Sequence, residues 1–253
     1  MSCARTPAPA KPVRSCLVCA TPRSGSSMLC GLLKSSGVAG RAEEYFWRED
    51  EAAWAERWGV PGPAESSWPD YLCAALSEGA TPNGVFAAKV MWGYLDDLLS
   101  KIAALPASSG LDACRLLRRT FPDLRFVFIR RLDTVAQAVS FARAHLMGVW
   151  YQADGSDPGP EPGYDYDLID GFVRLVNEQN IAWQRWFADH GIEPFTVTYE
   201  DVVADPVGCT RRILAFLDID ISSVQPITEQ TARQGTALNT TWAARYQAER
   251  RSR

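Results

Sequence analysis

In 253 residues, 47% of them apolar and 22% charged, the chain holds material for one sizeable core. A net charge of −4 excludes an overall basic field for nucleic acid, so any anion site has to be local. No run of about 18 apolar residues occurs, so no transmembrane helix is expected.

The first fourteen residues, MSCARTPAPAKPVR, mix Pro and Ala with basic side chains and lead into no apolar signal core. They read as a disordered tail ahead of a single domain over 15–253. The seven cysteines are an odd number set mostly in apolar segments, which predicts a reduced, cytoplasmic protein. Cys16 and Cys19 form a C-x-x-C inside a strand-like run, where alternation sends the two thiols to opposite faces. With no second such pair and only two His, a zinc site is not expected.

Four short apolar runs, 16–20, 85–91, 125–129 and 195–198, predict buried parallel strands separated by helices. The fold class is therefore α/β, a central parallel sheet flanked by helices, with the strand order left open. Met28, Leu29, Leu32 and Leu33 make one face of a first helix that stops at Gly37. Asp133 caps a helix carrying Val135, Ala138, Val139 and Ala142. A long stripe from Leu168 to Trp186 predicts a helix ending at His190-Gly191, and Asp205-Pro206 opens another. Residues 61–69 and the acidic, Pro- and Gly-rich 153–167 read as irregular.

Between the first strand and the first helix stands TPRSGSS. Such a loop offers backbone N–H groups, hydroxyls and a fixed cation to an anion at a helix N-terminus. Gly25 allows close backbone approach, Ser26 and Ser27 donate from the first turn, and Arg23 supplies a guanidinium that keeps its proton. The stretch is not GxxxxGK[ST], since the cation precedes the Gly. Arg131 follows the third strand, and Ser140 lies seven residues beyond Asp133, about two helical turns. The two suit a second phosphate, or else a surface Arg and a Ser bonded to its own helix. Glu43-Glu44-Tyr45-Phe46 reads either as a solvated edge before core aromatics or as a carboxylate set above the loop, where a general base for a hydroxyl would stand.

TPRSGSS, GVAGRAEEYF, TPNGVFAAKVMW, RRLDTVAQAVSF and TYEDVVADP, in that order from about Cys16 to Arg245, resemble the PAPS-dependent sulfotransferases, and most of all the bacterial trehalose 2-sulfotransferase family. The resemblance implies a P-loop-NTPase-like sulfotransferase fold that binds PAPS as co-substrate, releases PAP and needs no metal. It implies that Arg23, Ser24, Gly25, Ser26 and Ser27 hold the 5′-phosphosulfate, that Arg131 and Ser140 hold the 3′-phosphate, and that Arg233 in a late Arg-Gln pair helps bind the nucleotide. It gives Glu44 the role of catalytic base, with Arg23 stabilising the leaving phosphate. Other sulfotransferases use a His there; His145 and His190 sit in the wrong places. Lys89 and Trp92, at the end of the second strand, are candidates for the acceptor pocket, and Trp47, Trp54 and Trp58 for stacking on a flat acceptor. Tyr199-Glu200, which ends the fourth strand, is expected near adenine. The family resemblance also implies a homodimer.

Three residues before Glu44 the trehalose enzymes carry an acid, whereas this chain has Arg41. That reversal leaves room for a neutral disaccharide but makes an acceptor bearing a carboxylate or phosphate attractive. The small-molecule acceptor is thus a hydroxyl of trehalose, another sugar, a glycolipid or a secondary metabolite. Two other classes stand as alternatives: a P-loop kinase-like phosphotransferase, which wants the absent Lys, a Walker-B Asp and Mg²⁺, and a non-catalytic nucleotide-binding module.

Overall fold

A computed structural model describes residues 12–62, 67–106, 108–150, 161–228 and 237–253. Four parallel strands, β1 (Arg14–Ala20), β2 (Val85–Met91), β3 (Leu124–Arg130) and β4 (Phe195–Thr198), form one sheet in the order β2-β1-β3-β4. The helices are α1 (Ser26–Ser35), α2 (Arg48–Trp58), α3 (Trp68–Glu78), α4 (Trp92–Ala103), α5 (Ala113–Thr120), α6 (Thr134–Met147), α7 (Tyr166–Asp189), α8 (Tyr199–Ala204), α9 (Pro206–Phe216) and α10 (Ala237–Ser252).

Alternation along β1 divides the core. Leu17 and Cys19 face a cluster with Phe86, Ala88, Val90, Phe126, Phe128 and Trp183. Cys16, Val18 and Ala20 face the opposite cluster with Leu29, Leu32, Leu33, Val127, Ile129 and Ile213. The two thiols of the C-x-x-C thus point to opposite sides. Burial pushes both far above the ordinary thiol range, which makes them inert core atoms. A third cluster joins α6, α7 and α10 through Ala138, Val139, Ile169, Val173, Trp242 and Tyr246.

Caps read from the sequence are present. Asp133 accepts from the Ala136 N–H at 2.9 Å, Asp205 from the Gly208 N–H at 2.8 Å, and Gly37 follows α1 with φ +73°. Boundaries move, and by more than one residue in three places. Arg14, read as tail, opens β1; its side chain pairs with Asp123 at 2.6 Å and donates to the Leu217 carbonyl at 2.6 Å. α3 begins at Trp68, inside the stretch read as irregular, with Pro69 in its first turn. α7 begins at Tyr166 because Asp165 caps it by accepting from the Leu168 N–H at 3.0 Å. Residues 1–11 and 153–160 lie outside the described residues.

β2 is an edge strand, and its outer side is covered rather than left open. The Arg41 N–H donates to the Gly79 carbonyl at 2.8 Å and the Lys89 N–H to the Glu43 carbonyl at 2.9 Å. The segment from Gly40 to Glu44 therefore runs beside β2 and ends at the strand's C-terminal end. There Glu44 meets the loop that leaves β1.

That loop is held from behind. The Trp183 indole N–H donates to the Ala20 carbonyl at 2.9 Å. The Gln137 amide donates to Thr21 Oγ1 at 2.9 Å and to the Pro22 carbonyl at 2.7 Å. Trp183, Gln137 and Thr21 are all buried, so these bonds form away from water. Trp183→Phe keeps most of the packing but strands the Ala20 carbonyl. It is expected to cost about 1–3 kcal/mol. Urea unfolding should show a lower midpoint at an unchanged m-value, and an unmoved midpoint would contradict this role.

Candidate active site

The strands end at one rim of the sheet, and a cleft of about 880 Å³ opens there. Such a rim is where parallel α/β sheets bind ligands. Its lining includes Arg23, Gly25, Ser26, Ser27, Glu44, Lys89, Arg131 and Ser140, which the sequence marked out separately.

Gly25 sits at the N-cap of α1 with φ +89°, a conformation that L side chains rarely adopt. A Cβ there would stand 2.5 Å from Cδ2 of Tyr199, so the turn is closed to any larger residue. The N–H groups of the first turn of α1 have no intrahelical partner and point toward the rim. Arg23 also has positive φ, +62°, although it is not Gly. Its Nε donates to Ser140 Oγ at 3.1 Å and its Nη1 to the Trp150 carbonyl at 2.8 Å, contacts that hold the strained backbone in place. Ser24 is fully buried, and its Oγ has no hydrogen-bond partner among the described residues.

Across the rim, Arg131 lays its guanidinium over the Tyr199 ring, 4.5 Å from the centroid, and its Nε has no hydrogen-bond partner among the described residues. Asp133 and Ser140 line the cleft beside it.

At the other end, the Glu44 carboxylate and the Lys89 ammonium are 2.8 Å apart, with 15% and 3% of their side-chain surfaces exposed. Lys89 Nζ also donates to Ser27 Oγ at 3.2 Å. One buried cation thus ties the carboxylate to the loop. The Tyr94 hydroxyl lies 3.3 Å from Glu44 Oε1 and 2.9 Å from the Lys89 carbonyl. Burial is also the leading reason that Asp50 is raised, with Glu44's negative charge next.

The remaining candidates are placed as follows. Arg41 does not line the cleft: it is exposed, and its guanidinium donates to the Glu78 and Ala80 carbonyls at 2.8 and 2.7 Å, beside the C-terminal end of α3. Glu44 turns instead to Lys89 Nζ, so the two side chains go to different neighbours. The sequence argument for a charged acceptor loses its basis. Trp92 packs edge-on against Trp183 at 5.2 Å and is absent from the lining. Trp54 and Trp58, half-buried, stack on each other at 5.3 Å against the core, whereas Trp47 reaches the cleft. His190 bonds to the Trp186 carbonyl and His145 packs on Phe172, both away from the lining. Arg233 lies outside the described residues.

Sequence reasoning missed Tyr94, Gln179 and a wall from α10 that includes Asn239 and Thr240. For Tyr94 a signal existed: a phenol one turn into the helix that follows the Lys89 strand. α10 gave none, because its apolar positions are few.

A family model for Stf0 sulphotransferase matches residues 15–249. The chain belongs to the Stf0 sulfotransferase family. It is 30% identical over 94% of its length to the trehalose 2-sulfotransferase of Mycobacterium tuberculosis, matching 96% of that protein. Against the trehalose 2-sulfotransferase of Mycolicibacterium smegmatis it is 28% identical over 91% of its length and 93% of the relative. A solved sulfotransferase from Alicyclobacillus acidocaldarius is 16% identical, covers 95% of this chain and 96% of its own, and gives a TM-score of 0.49. As a Stf0 sulfotransferase the chain is an enzyme of sulfuryl transfer, which sets aside the kinase and binding-module readings.

In this Stf0 enzyme Gly25→Ala should displace the loop from Tyr199. Sulfuryl transfer is expected to fall about a hundredfold, the scale of a 1 Å misplacement. Circular dichroism should stay unchanged. Activity within twofold of wild type would show that the loop tolerates the shift.

Proposed function

We propose that the enzyme moves the sulfuryl group of PAPS to a hydroxyl of a neutral, sugar-like acceptor of the trehalose type. The observation that carries this reading is the Glu44–Lys89–Ser27 chain, which sets a carboxylate within reach of the anion loop. Bound PAPS supplies the activated sulfuryl group. The donor set fits a nucleotide with two anionic groups: a cradle at Gly25 that a Cβ would fill and, among the described residues, a Ser24 Oγ and an Arg131 Nε with no hydrogen-bond partner.

Each side chain then has a task. Glu44 accepts the proton of the attacking hydroxyl. Lys89 keeps that carboxylate oriented and shares its charge with the Ser27 side of the loop. Arg23 and the first-turn N–H groups of α1 stabilise negative charge on the departing 5′-phosphate. Arg131 and Ser140 grip the 3′-phosphate, so that binding energy remote from sulfur orients the donor. Sulfuryl transfer resembles phosphoryl transfer in needing an in-line approach and charge stabilisation more than covalent help.

Trp47, Met91, Gly93, Tyr94 and Gln179 line the cleft near Glu44. They supply apolar area, a hydroxyl and a carboxamide but no charge. This suits a sugar, whose ring stacks on an aromatic face while its hydroxyls take polar partners. The names of the mycobacterial relatives, trehalose 2-sulfotransferases, support the same class.

Glu44→Gln is expected to lower kcat by about 10²–10⁴-fold. PAP binding by calorimetry should stay within twofold, and full turnover would remove Glu44 as base. For Arg131→Ala the expectation is a loss of PAP affinity of about a hundredfold, against less than threefold for adenosine 5′-phosphate. Equal losses for the two nucleotides would refute the 3′-phosphate assignment.

A further inference from the structure

We infer that Tyr199 and Glu200 clamp the two anion-gripping loops at a fixed spacing, and so act as positioning residues for recognition of the 3′-phosphate. The inference rests on the donor reading above, in which Arg131 serves that phosphate.

The clamp begins in the sheet. β3 and β4 pair in parallel, and Arg130 stands opposite Thr198. The chain after Arg130 and the chain after Thr198 therefore leave the sheet side by side. Arg131 departs next to Tyr199, and Leu132 next to Glu200. The start of α8 is itself fixed by a reciprocal cap: Thr198 Oγ1 donates to Asp201 Oδ2 at 2.6 Å and accepts from the Asp201 N–H at 3.0 Å.

From this fixed corner the two side chains reach in different directions. The Glu200 carboxylate accepts the Leu132 N–H at 3.2 and 3.1 Å and the Asp133 N–H at 3.3 Å. These are charge-assisted bonds to the backbone that carries Arg131 on one side and the cap of α6 on the other. The Tyr199 ring touches both loops: Arg131 lies over it at 4.5 Å, and Gly25 lies so close that a Cβ would collide. One aromatic ring is thus a spacer between the Gly25 turn and Arg131, and the next residue holds the Arg131 loop against it.

Glu200 is not suited to touch a phosphate. It is anionic, and it already takes up the Leu132 and Asp133 N–H groups just ahead of α6. Its effect on a 3′-phosphate has to pass through Arg131. A purely electrostatic role and a clamping role therefore predict opposite outcomes when the charge alone is removed. Relief of repulsion would tighten binding of a multiply charged nucleotide. Loss of a backbone anchor would weaken it.

The test measures calorimetric affinity of the full chain for PAP and for adenosine 5′-phosphate in four proteins: wild type, Arg131→Ala, Glu200→Ala and Glu200→Gln. Glu200→Ala is expected to weaken PAP about tenfold while changing adenosine 5′-phosphate less than about twofold. Glu200→Gln, which keeps one acceptor oxygen and the side-chain volume, should fall between and carries the test if the Ala variant does not fold. If Arg131→Ala discriminates the nucleotides but the Glu200 variants weaken both equally, Glu200 serves only the fold and the clamp is overturned. Tighter PAP binding by Glu200→Gln, or unchanged PAP binding in both Glu200 variants, overturns it as well. Should Arg131→Ala itself fail to discriminate, the donor reading falls and takes the clamp with it.

Discussion

A lysine ammonium almost cut off from water must have its charge met by the protein, and Lys89 imposes that demand on everything around the cleft. Its backbone is fixed by register, Val18 opposite Lys89, in the middle of the sheet's edge pair. Only anionic or oxygen-rich neighbours can approach it without a large desolvation cost. Glu44 meets the charge, Ser27 brings in the loop, and the Tyr94 hydroxyl rests on the carbonyl of the same residue. The covering of β2 by the segment from Gly40 to Glu44 is what delivers that carboxylate. Edge protection and assembly of the site are thus one structural act.

The same economy runs through the β1 loop. Its backbone is tied down on the buried side by Trp183 and Gln137, so Gly25, Ser26 and Ser27 line the cleft on a frame that need not reorganise. Arg23 in a left-handed conformation is tolerable because Ser140 and the Trp150 carbonyl hold its guanidinium. A free loop would relax away from that conformation.

Much of this was legible in the sequence, and the reason is locality. TPRSGSS carries its own turn, its cation and the start of its helix within seven residues, so pattern alone reveals it. Arg131 and Ser140 are placed by a strand end and by helical periodicity, both short-range rules. What escaped depends on pairs far apart in the chain. The bond between Gln137 and Thr21, the wall from α10 and the grip of Glu200 on Leu132 have no local signature. Arg41 shows the opposite failure: closeness to Glu44 in sequence suggested closeness in the cleft, but the side chains diverge. Trp54 and Trp58 show another, since aromatic residues near a site are as readily claimed by the core.

The cleft has two walls of different origin. One is built from loops anchored on strand ends, where backbone and glycine geometry shape the cleft. The other is built from side chains: Trp47, Met91 at the end of β2, and residues of helices α4, α7 and α10. Backbone architecture resists replacement, because altering it disturbs the sheet. Side-chain tips can be exchanged one at a time. A lineage with this scaffold can drift in what it modifies while keeping what it consumes, and a redesign aimed at a new acceptor has its freedom at positions 47, 91, 94 and 179.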